Sequence, residues 1–199
     1  MWIEALDVWL KQSDVKKANE LMPDLRRHAL TTVFELKDLH TNLLKESLEA
    51  KRFKDALWRI MSAWTSRVTP KYKEPMQIVL RCPDTLAVPR VLQGTIIRIA
   101  SLAYANALQH SGILDNPKIK IWVTVRQNSN EMSLSVVDNG KGLDFEKRPE
   151  GYGLGRMRQL TEKMNSRDDV TAGLIVEPRT KRGTRVLLKL KVQSARQVA

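Results

Sequence analysis

The stretch VVDNGKGLDF at residues 136–145 decides the fold class of this chain. An alternating apolar strand runs into Asp138, and two glycines, Gly140 and Gly142, follow directly in the same loop. Glycine lets a backbone turn tightly and approach a ligand closely, and a carboxylate at a strand end can accept hydrogen bonds from that ligand. Taken alone, the stretch is equally typical of a plain turn that closes a hairpin. The neighbouring stretches decide between these two interpretations.

A second glycine-rich stretch, GYGLGRMRQL at residues 151–160, opens a helix. Free N–H groups and the positive end of the helix dipole would face a ligand there, which is typical of a phosphate cradle. The spacing G-x-G-x-G differs from the dinucleotide-binding fingerprint, and the Gly-Lys-Ser/Thr of a Walker loop is missing. A third stretch, RGTRVLL at residues 182–188, places Gly183 and Thr184 at the entrance of a strand.

The helix RIASLAYANALQHSG at residues 98–112 carries an unusual polar residue, Asn106. An Asn inside an Ala-rich buried helix is unfavourable unless its amide has partners, and the hard cation Mg²⁺ is one such partner. His110 lies one turn further on the same face, so it is a candidate for the same ligand site. A cap at the helix C-terminus, favoured by the dipole, is the other interpretation of His110.

The second half of the chain alternates between the periods of strands and helices. Period-two patterns predict strands at residues 76–80, 119–127, 131–138, 173–178 and 184–192. Helical patterns predict helices at 91–109, rich in Ala and β-branched residues and therefore deep against the sheet, and at 154–164. The predicted class is α+β, with helices on one face of a mixed or antiparallel sheet whose last three or four strands are antiparallel neighbours.

The first half has two apolar stripes at helical spacing within residues 18–68. Two helices with such stripes are predicted to pair as a hairpin, and a dimer of hairpins forms a four-helix bundle. Packing of the helices on the second half of the chain is the alternative. Residues 69–75 are predicted to be a linker. The stripes consist of Leu25, Ala29, Val33, Leu36, Leu39 and Leu43, then Phe53, Leu57, Ile60, Met61 and Trp64.

Charge and composition narrow the classes of ligand. Of the net charge of +12, residues 71–199 carry +10, from 22 basic against 12 acidic residues, which favours an anionic ligand. A nucleic-acid-binding module is disfavoured because the tryptophans at 2, 9, 58 and 64 lie in the other half, away from that charge.

The single cysteine, Cys82, excludes an internal disulfide and is expected to be a buried small hydrophobe rather than a nucleophile. No stretch reaches the length of a membrane span, so we expect a cytoplasmic protein or the cytoplasmic part of a longer sensor.

Four motifs now stand in a recognisable order. Asn106 on a helix, DNGKG at 138–142, GYGLG at 151–155 and GT at 183–184 resemble the N, G1, G2 and G3 boxes of the ATP-binding fold shared by sensor histidine kinases, gyrase, Hsp90 and MutL. The short spacer between the second and third boxes is similar to that of nitrate-sensor and lipid-fluidity-sensor kinases. The resemblance implies a signalling helix and dimerising hairpin over residues 1–70, an ATP-binding α/β sandwich over 76–192, and a loose tail over 193–199.

The resemblance also implies roles for the residues of the boxes. Asn106 would ligate Mg²⁺, and Asp138 would accept a hydrogen bond from the adenine amino group of ATP. Two glycines of the second box would shape the adenine pocket, and Thr184 would lie beside the base. The lid over the phosphates would hinge at the third box. The glycine and lid positions are Gly140, Gly142, Gly151, Gly153, Leu154 and Gly155.

Two departures from the family pattern bear on catalysis. The N box of the family has a Glu four residues before the Asn, and this chain has Leu102 there. A leucine cannot act as a base, and loss of a general base typically costs about 10²–10⁴ in rate. Arg26 stands where the family has its phosphoacceptor histidine. His28 is a candidate acceptor in a shifted register, although for His28, and more so for His40, an ordinary surface or packing histidine is the favoured interpretation.

The sequence therefore predicts an ATP-binding protein of two-component signal transduction, similar to the core of a sensor histidine kinase, with weakened or altered autophosphorylation. A homodimer is expected, a response-regulator receiver domain is a candidate partner, and no nucleic acid is expected. The alternative is a non-catalytic dimeric scaffold that regulates a partner through nucleotide-dependent conformation.

Overall fold

The computed structural model of the protein describes residues 52–68, 76–86, 88–110, 119–142, 152–179 and 182–193. The chain divides into two compact units, residues 1–43 and 44–199, and all the described residues belong to the second. The described elements follow the order α1 (Phe53–Val68), β1 (Gln77–Arg81), α2 (Arg90–His110), β2 (Lys120–Asn128), β3 (Glu131–Asp138), α3 (Tyr152–Asn165), β4 (Val170–Pro178) and β5 (Thr184–Val192).

The strands form one mixed sheet in the order β1-β2-β3-β5-β4. β1 runs parallel to β2, and the other three neighbouring pairs are antiparallel. The predicted mixed α+β sheet is thus confirmed, as are its antiparallel neighbours. β4 begins at Val170, three residues before the predicted start at 173. The additional pairs with β5, beginning with Val170 opposite Val192, account for this extension.

One face of the sheet is covered by helices. On β2 the residues Ile121, Val123 and Val125 are buried, whereas the residues between them are partly open to solvent. Because side chains alternate across a strand, this pattern places the apolar core on one side of the sheet. α2 lies deep in that core, with Ile96 and Ile99 fully buried, as its composition predicted.

The sequence-based expectation that no stretch reaches the length of a membrane span is wrong, because α2 meets the length and hydropathy requirements for a membrane-crossing helix over Arg90–Leu108. Most of this segment is buried inside the structure, so its apolar character is explained by its place in the core.

α1 packs into the same core. Its predicted apolar stripe, Phe53, Leu57, Ile60 and Met61, is buried together with residues of α2 and the sheet. The sequence assigned this helix to the dimerising hairpin, with packing on the second half of the chain as the alternative. α1 therefore packs on the second half of the chain, which does not test whether it also pairs with the preceding helix. The preceding stripe lies outside the described residues, so the hairpin and the dimer stay predictions.

Two polar contacts fasten α1 to α2. Trp64 Nε1 donates a hydrogen bond to Ser101 Oγ at 3.0 Å, and the hydroxyls of Thr65 and Tyr104 share one at 2.7 Å. Burial raises the pKa of Tyr104 to about 12, so its hydroxyl stays neutral at physiological pH. Because buried polar groups are unfavourable without partners, these pairs specify where α1 lies on α2.

Cys82 follows β1 and is half-buried against the core. Burial raises the pKa of its thiol to about 11. The thiolate is the nucleophilic form, so this shift disfavours a nucleophilic role, as predicted, whereas the predicted full burial is wrong because the side chain packs only at the edge of the core.

Candidate functional site

The structure brings described residues of the four boxes together in two groups. Asp138, at the end of β3, lies beside Gly183, in the turn that leads into β5, and beside Thr184, the first residue of β5. Asn106 on α2 lies beneath Gly153 in the first turn of α3. The fold thus brings together, within each group, residues that are far apart in the chain.

Asp138 is held by hydrogen bonds at both carboxylate oxygens. Oδ1 accepts the N–H of Gly140 at 2.8 Å, and Oδ2 accepts the N–H of Thr184 at 3.2 Å. The residue is only 5% exposed. A carboxylate oxygen has more than one lone pair, so both oxygens retain acceptor capacity for a ligand amine.

The environment of Asp138 opposes its ionisation. Burial raises the pKa of Asp138 above its usual value, whereas the N–H groups of Gly140 and Thr184 and the charge of Arg179 act in the opposite direction. A carboxyl whose pKa is raised on folding contributes stability below its unfolded pKa and loses that contribution as pH rises through its folded pKa. At neutral pH the buried charge is therefore unfavourable for folding, a pattern that is frequent at functional sites.

Gly183 permits the close approach of the β5 turn to Asp138. Its φ is +95°, and a Cβ built there would lie 2.6 Å from the carbonyl carbon of Asp138 and 2.9 Å from Cα of Asn139. Gly142 also has a positive φ, of +85°, and faces the carbonyl oxygen of Gly183. The two glycine boxes therefore contact each other through backbone atoms, which only glycine allows at this distance.

Gly153 permits a similar close approach between α3 and Asn106 in the second group. A Cβ at Gly153 would lie 2.8 Å from Oδ1 and 3.1 Å from Nδ2 of Asn106. The amide of Asn106 is thus directly beneath the first turn of α3, where N–H groups and the helix dipole favour anions.

Gly153→Ala is expected to displace the Asn106 side chain and to lower the affinity for Mg²⁺-ATP by about 10-fold, the loss of roughly one good hydrogen bond to a charged ligand. The measurement is a titration with and without Mg²⁺. Gly155→Ala changes the other described glycine of the same lid box without reaching Asn106, because its Cβ would meet nothing within 4 Å, so the comparison isolates the contact with Asn106 from any effect on the lid. Both changes raise helix propensity by about 1 kcal/mol, so this effect cancels in the comparison. Equal Mg²⁺-ATP affinities for the two variants would contradict the expected role of the contact.

The other predicted site residues fall into three groups. Leu154 packs against the core, and the side of Gly155 is open. His110 is the last residue of α2, and its side chain is outside the description. Gly151 and His28 lie outside the described residues, so their predicted roles stay predictions.

Arg179 is a site residue that the sequence did not indicate. Its Nη1 donates a hydrogen bond to the backbone oxygen of Asp138 at 3.2 Å, and its guanidinium lies 5.4 Å from the centre of the Trp122 ring. Nothing in the stretch around residue 179 predicts these contacts, because both partners come from other strands. Asn139, within the second box, accepts the N–H of Lys120 through Oδ1 at 2.7 Å and so ties the same loop to β2.

The site combines a buried carboxylate, backbone contacts that require glycine, and an amide beneath a helix N-terminus, which are the features that the resemblance to the ATP-binding fold predicts. Residues 92–194, more than half of the chain, match the family described as histidine kinase-, DNA gyrase B- and HSP90-like ATPases. The chain belongs to this family.

Within this family, the chain is similar to sensor proteins of bacteria. The chain is 25% identical over 131 residues to the sensor histidine kinase LiaS of Bacillus subtilis and 27% identical over 150 residues to the nitrate/nitrite sensor protein NarX of Escherichia coli. These matches cover 65% and 75% of this chain, but only 33% and 23% of the relatives. The predicted resemblance to sensor histidine kinases is confirmed, while the chain spans at most about a third of the length of these relatives.

Solved structures show the same fold. The histidine kinase domain of the blue-light activated histidine kinase from Erythrobacter litoralis aligns with a TM-score of 0.62 at 22% identity, over 77% of this chain and 71% of that one. The catalytic domain of histidine kinase ThkA aligns with a TM-score of 0.53 at 14% identity, over 72% of this chain and 96% of that one.

Proposed function

We propose that this chain binds ATP at the site formed by Asp138, Gly183 and Asn106 and acts in signal transduction, with weakened or altered autophosphorylation. The observation that carries the proposal is the buried carboxylate of Asp138, oriented by the N–H groups of Gly140 and Thr184. An oriented acceptor of this kind suits the exocyclic amine of adenine.

Asn106 and the first turn of α3 suit the phosphates and their cation. Among the described residues there is no group of three or more His, Cys, Asp or Glu side chains that could hold a metal. Mg²⁺ commonly relies on few protein oxygens together with phosphate and water oxygens. The amide oxygen of Asn106 fits such a role, and bound Mg²⁺ would neutralise charge on the phosphates.

The chemistry of phosphoryl transfer is where we propose that this chain departs from its relatives. Leu102 lies one turn before Asn106 on α2, and it packs against the core as a partly buried side chain. It offers neither a base nor an acceptor for a water molecule. The residues around the phosphates can therefore bind and orient ATP without activating an attacking group.

A non-catalytic scaffold is the second candidate. Its support is the attachment of α1 to α2, the helix that carries Asn106, through the contacts Trp64 to Ser101 and Thr65 to Tyr104. A nucleotide that shifts α2 would also bias α1, and through it the residues that precede α1. We propose that those residues include a dimerising hairpin and that a receiver domain is a candidate partner.

ATP titration with and without Mg²⁺, together with incubation with γ-labelled ATP, tests the proposed function. Binding that Asn106→Ala weakens, with no label retained, supports a nucleotide-gated protein without autophosphorylation. Acid-labile label that disappears in His28→Ala would instead show a working kinase with a displaced acceptor. No binding of ATP by the wild type would overturn the proposal.

Leu102→Glu is expected to raise the rate of ATP hydrolysis by about 10² over that of the wild type, because it places a base one turn from Asn106. Leu102→Gln is the matched control, since it has the same length and polarity but no basic carboxylate. The measurement is release of labelled phosphate at saturating Mg²⁺-ATP. A rise of the same size in both variants, or in neither, would count against the missing Glu as the cause of weak chemistry.

A further inference from the structure

Arg179 directly follows β4, and its contacts converge on the turn beside Asp138. Its backbone N–H donates to the oxygen of Gly183 at 3.0 Å, and its Nη1 donates to the backbone oxygen of Asp138 at 3.2 Å. The guanidinium also lies 5.4 Å from the centre of the Trp122 ring, a distance typical of a cation–π contact. One residue thus links the ends of β3 and β4 to Trp122, near the start of β2.

The backbone of Asp138 needs such support on the side of β5. The β3–β5 ladder ends with Val137 opposite Arg185, so Asp138 lies beyond the last pair. Past this point the turn at Gly183 presses against the carbonyl group of Asp138, and the guanidinium of Arg179 donates to the same group. On the side of β5, these two contacts therefore help to set the direction in which residue 138 leaves the strand, while β2 pairs with it on the other side.

Arg179 reaches Asp138 from the face of the sheet opposite to the helices. Trp122 alternates along β2 with Ile121 and Val123, which are buried under the helices, so the Trp122 ring lies on the other face. The side chain of Asp138 follows the buried pattern of β3 and lies on the helix side. Arg179 therefore contacts Asp138 at the backbone oxygen, on the face of the sheet opposite to the carboxylate, and its positive charge also favours the ionised carboxylate.

We propose that Arg179 is a positioning residue of the adenine pocket, which holds the backbone of Asp138 against the Gly183 turn and so aims the carboxylate at the base. The inference rests on the proposed function, because it takes Asp138 as the acceptor of the adenine amine. Trp122 supports the guanidinium and is the second member of this arrangement.

The test compares three probes on the full chain: ATP, inosine triphosphate and inorganic tripolyphosphate, each titrated by calorimetry. Arg179→Met keeps a long apolar side chain but removes the charge and the donors. It is expected to lower ATP affinity by about 10-fold and to reduce the preference for ATP over inosine triphosphate, because base recognition loosens. Tripolyphosphate affinity is expected to be unchanged, since the phosphate side does not involve Arg179. Arg179→Lys, which keeps a charge and donors, is expected to recover part of the preference.

Arg126→Met is the matched control, because Arg126 is an exposed residue on the same strand face as Trp122. An unchanged preference in Arg179→Met, or a parallel loss of tripolyphosphate affinity, would overturn the positioning role. If Arg179→Met does not fold, Trp122→Leu replaces it in the same titrations. This variant removes the ring that supports the guanidinium but keeps the arginine, and the same loss of preference for ATP over inosine triphosphate is expected. Failure of the proposed function has a different signature: the wild type would not prefer ATP over inosine triphosphate, and Asp138→Asn would change nothing.

Discussion

Gly183→Ala is expected to lower the free energy of unfolding by about 3 kcal/mol or more. The added Cβ would lie 2.6 Å from the carbonyl carbon of Asp138, and the residue would keep a φ of +95°. Overpacking typically costs about 1–3 kcal/mol, and a left-handed backbone adds about 1–2 kcal/mol for a residue with a side chain. The atoms in the way are backbone atoms of β3 and its loop, so relief requires the sheet end to move. The measurement is urea unfolding followed by circular dichroism.

Gly173→Ala is the matched control for that experiment. Gly173 lies in β4, and a Cβ there would meet nothing within 4 Å. Replacing a glycine by alanine at an unstrained position stabilises a protein by about 0.4–1 kcal/mol through the unfolded state. The two variants should therefore shift the urea midpoint in opposite directions. Equal midpoints would show that the Gly183 turn adapts to a side chain, and the close contact with Asp138 would not be required for folding.

Asp138→Asn is expected to lower ATP affinity by about 10- to 100-fold, the range of a hydrogen bond that involves a charged group. Asparagine has one oxygen where Asp138 has two, so only one of the N–H groups of Gly140 and Thr184 keeps its acceptor. The NH₂ group of the asparagine would also face the adenine amine, and two donors repel each other. Inosine triphosphate carries a carbonyl in place of that amine, so the variant should lose its preference for ATP over this nucleotide. Calorimetric titration of both nucleotides measures the ratio. Asp169→Asn, at an exposed carboxylate paired with Arg167, is the control.

The same variant tests the pH dependence of binding. Because burial raises the pKa of Asp138, the wild type should lose ATP affinity on acidification at a higher pH than the usual carboxyl range near 4. In the proposed site the ionised form of Asp138 accepts the adenine amine, so ATP affinity is expected to fall as pH decreases through the pKa of Asp138. Asp138→Asn has no carboxyl group at this position. The phosphates of ATP titrate equally in both experiments, so the ratio of the wild-type affinity to the variant affinity reports only the titration of Asp138. A constant ratio between pH 4 and 7 would contradict ionised Asp138 as the acceptor.

Local sequence patterns were sufficient to predict the five strands and the helices α2 and α3. β3 and β5 have the predicted ends at residues 138 and 192, and α2 and α3 extend each prediction by only one or two residues at either end. These elements are predictable because alternation and helical spacing are properties of a short window, and each apolar face must be buried somewhere. The glycine boxes were also recognisable, because close backbone approach requires glycine itself.

The packing partner of α1 could not be predicted from local sequence patterns. Its stripe predicted burial, and Phe53, Leu57, Ile60 and Met61 are indeed buried. An apolar stripe carries no information about its partner, so the sequence could not decide between a hairpin and the core beneath α2. The partner depends on which surface has complementary shape and on polar pairs such as Thr65 with Tyr104, and such pairs exist only once both helices are in place.

By itself, the sequence determined the α+β class, the four boxes, the candidate acceptor Asp138 and the replacement of the family Glu by Leu102. Residue identity alone decides whether a base or a turn-forming glycine is available. Only the tertiary structure decided that α1 belongs to the core, that Gly153 lies on the amide of Asn106, and that Arg179 and Trp122 stand behind Asp138. These contacts join strands and helices that are distant in the chain, and their geometry follows from the register and twist of the whole sheet rather than from any one segment.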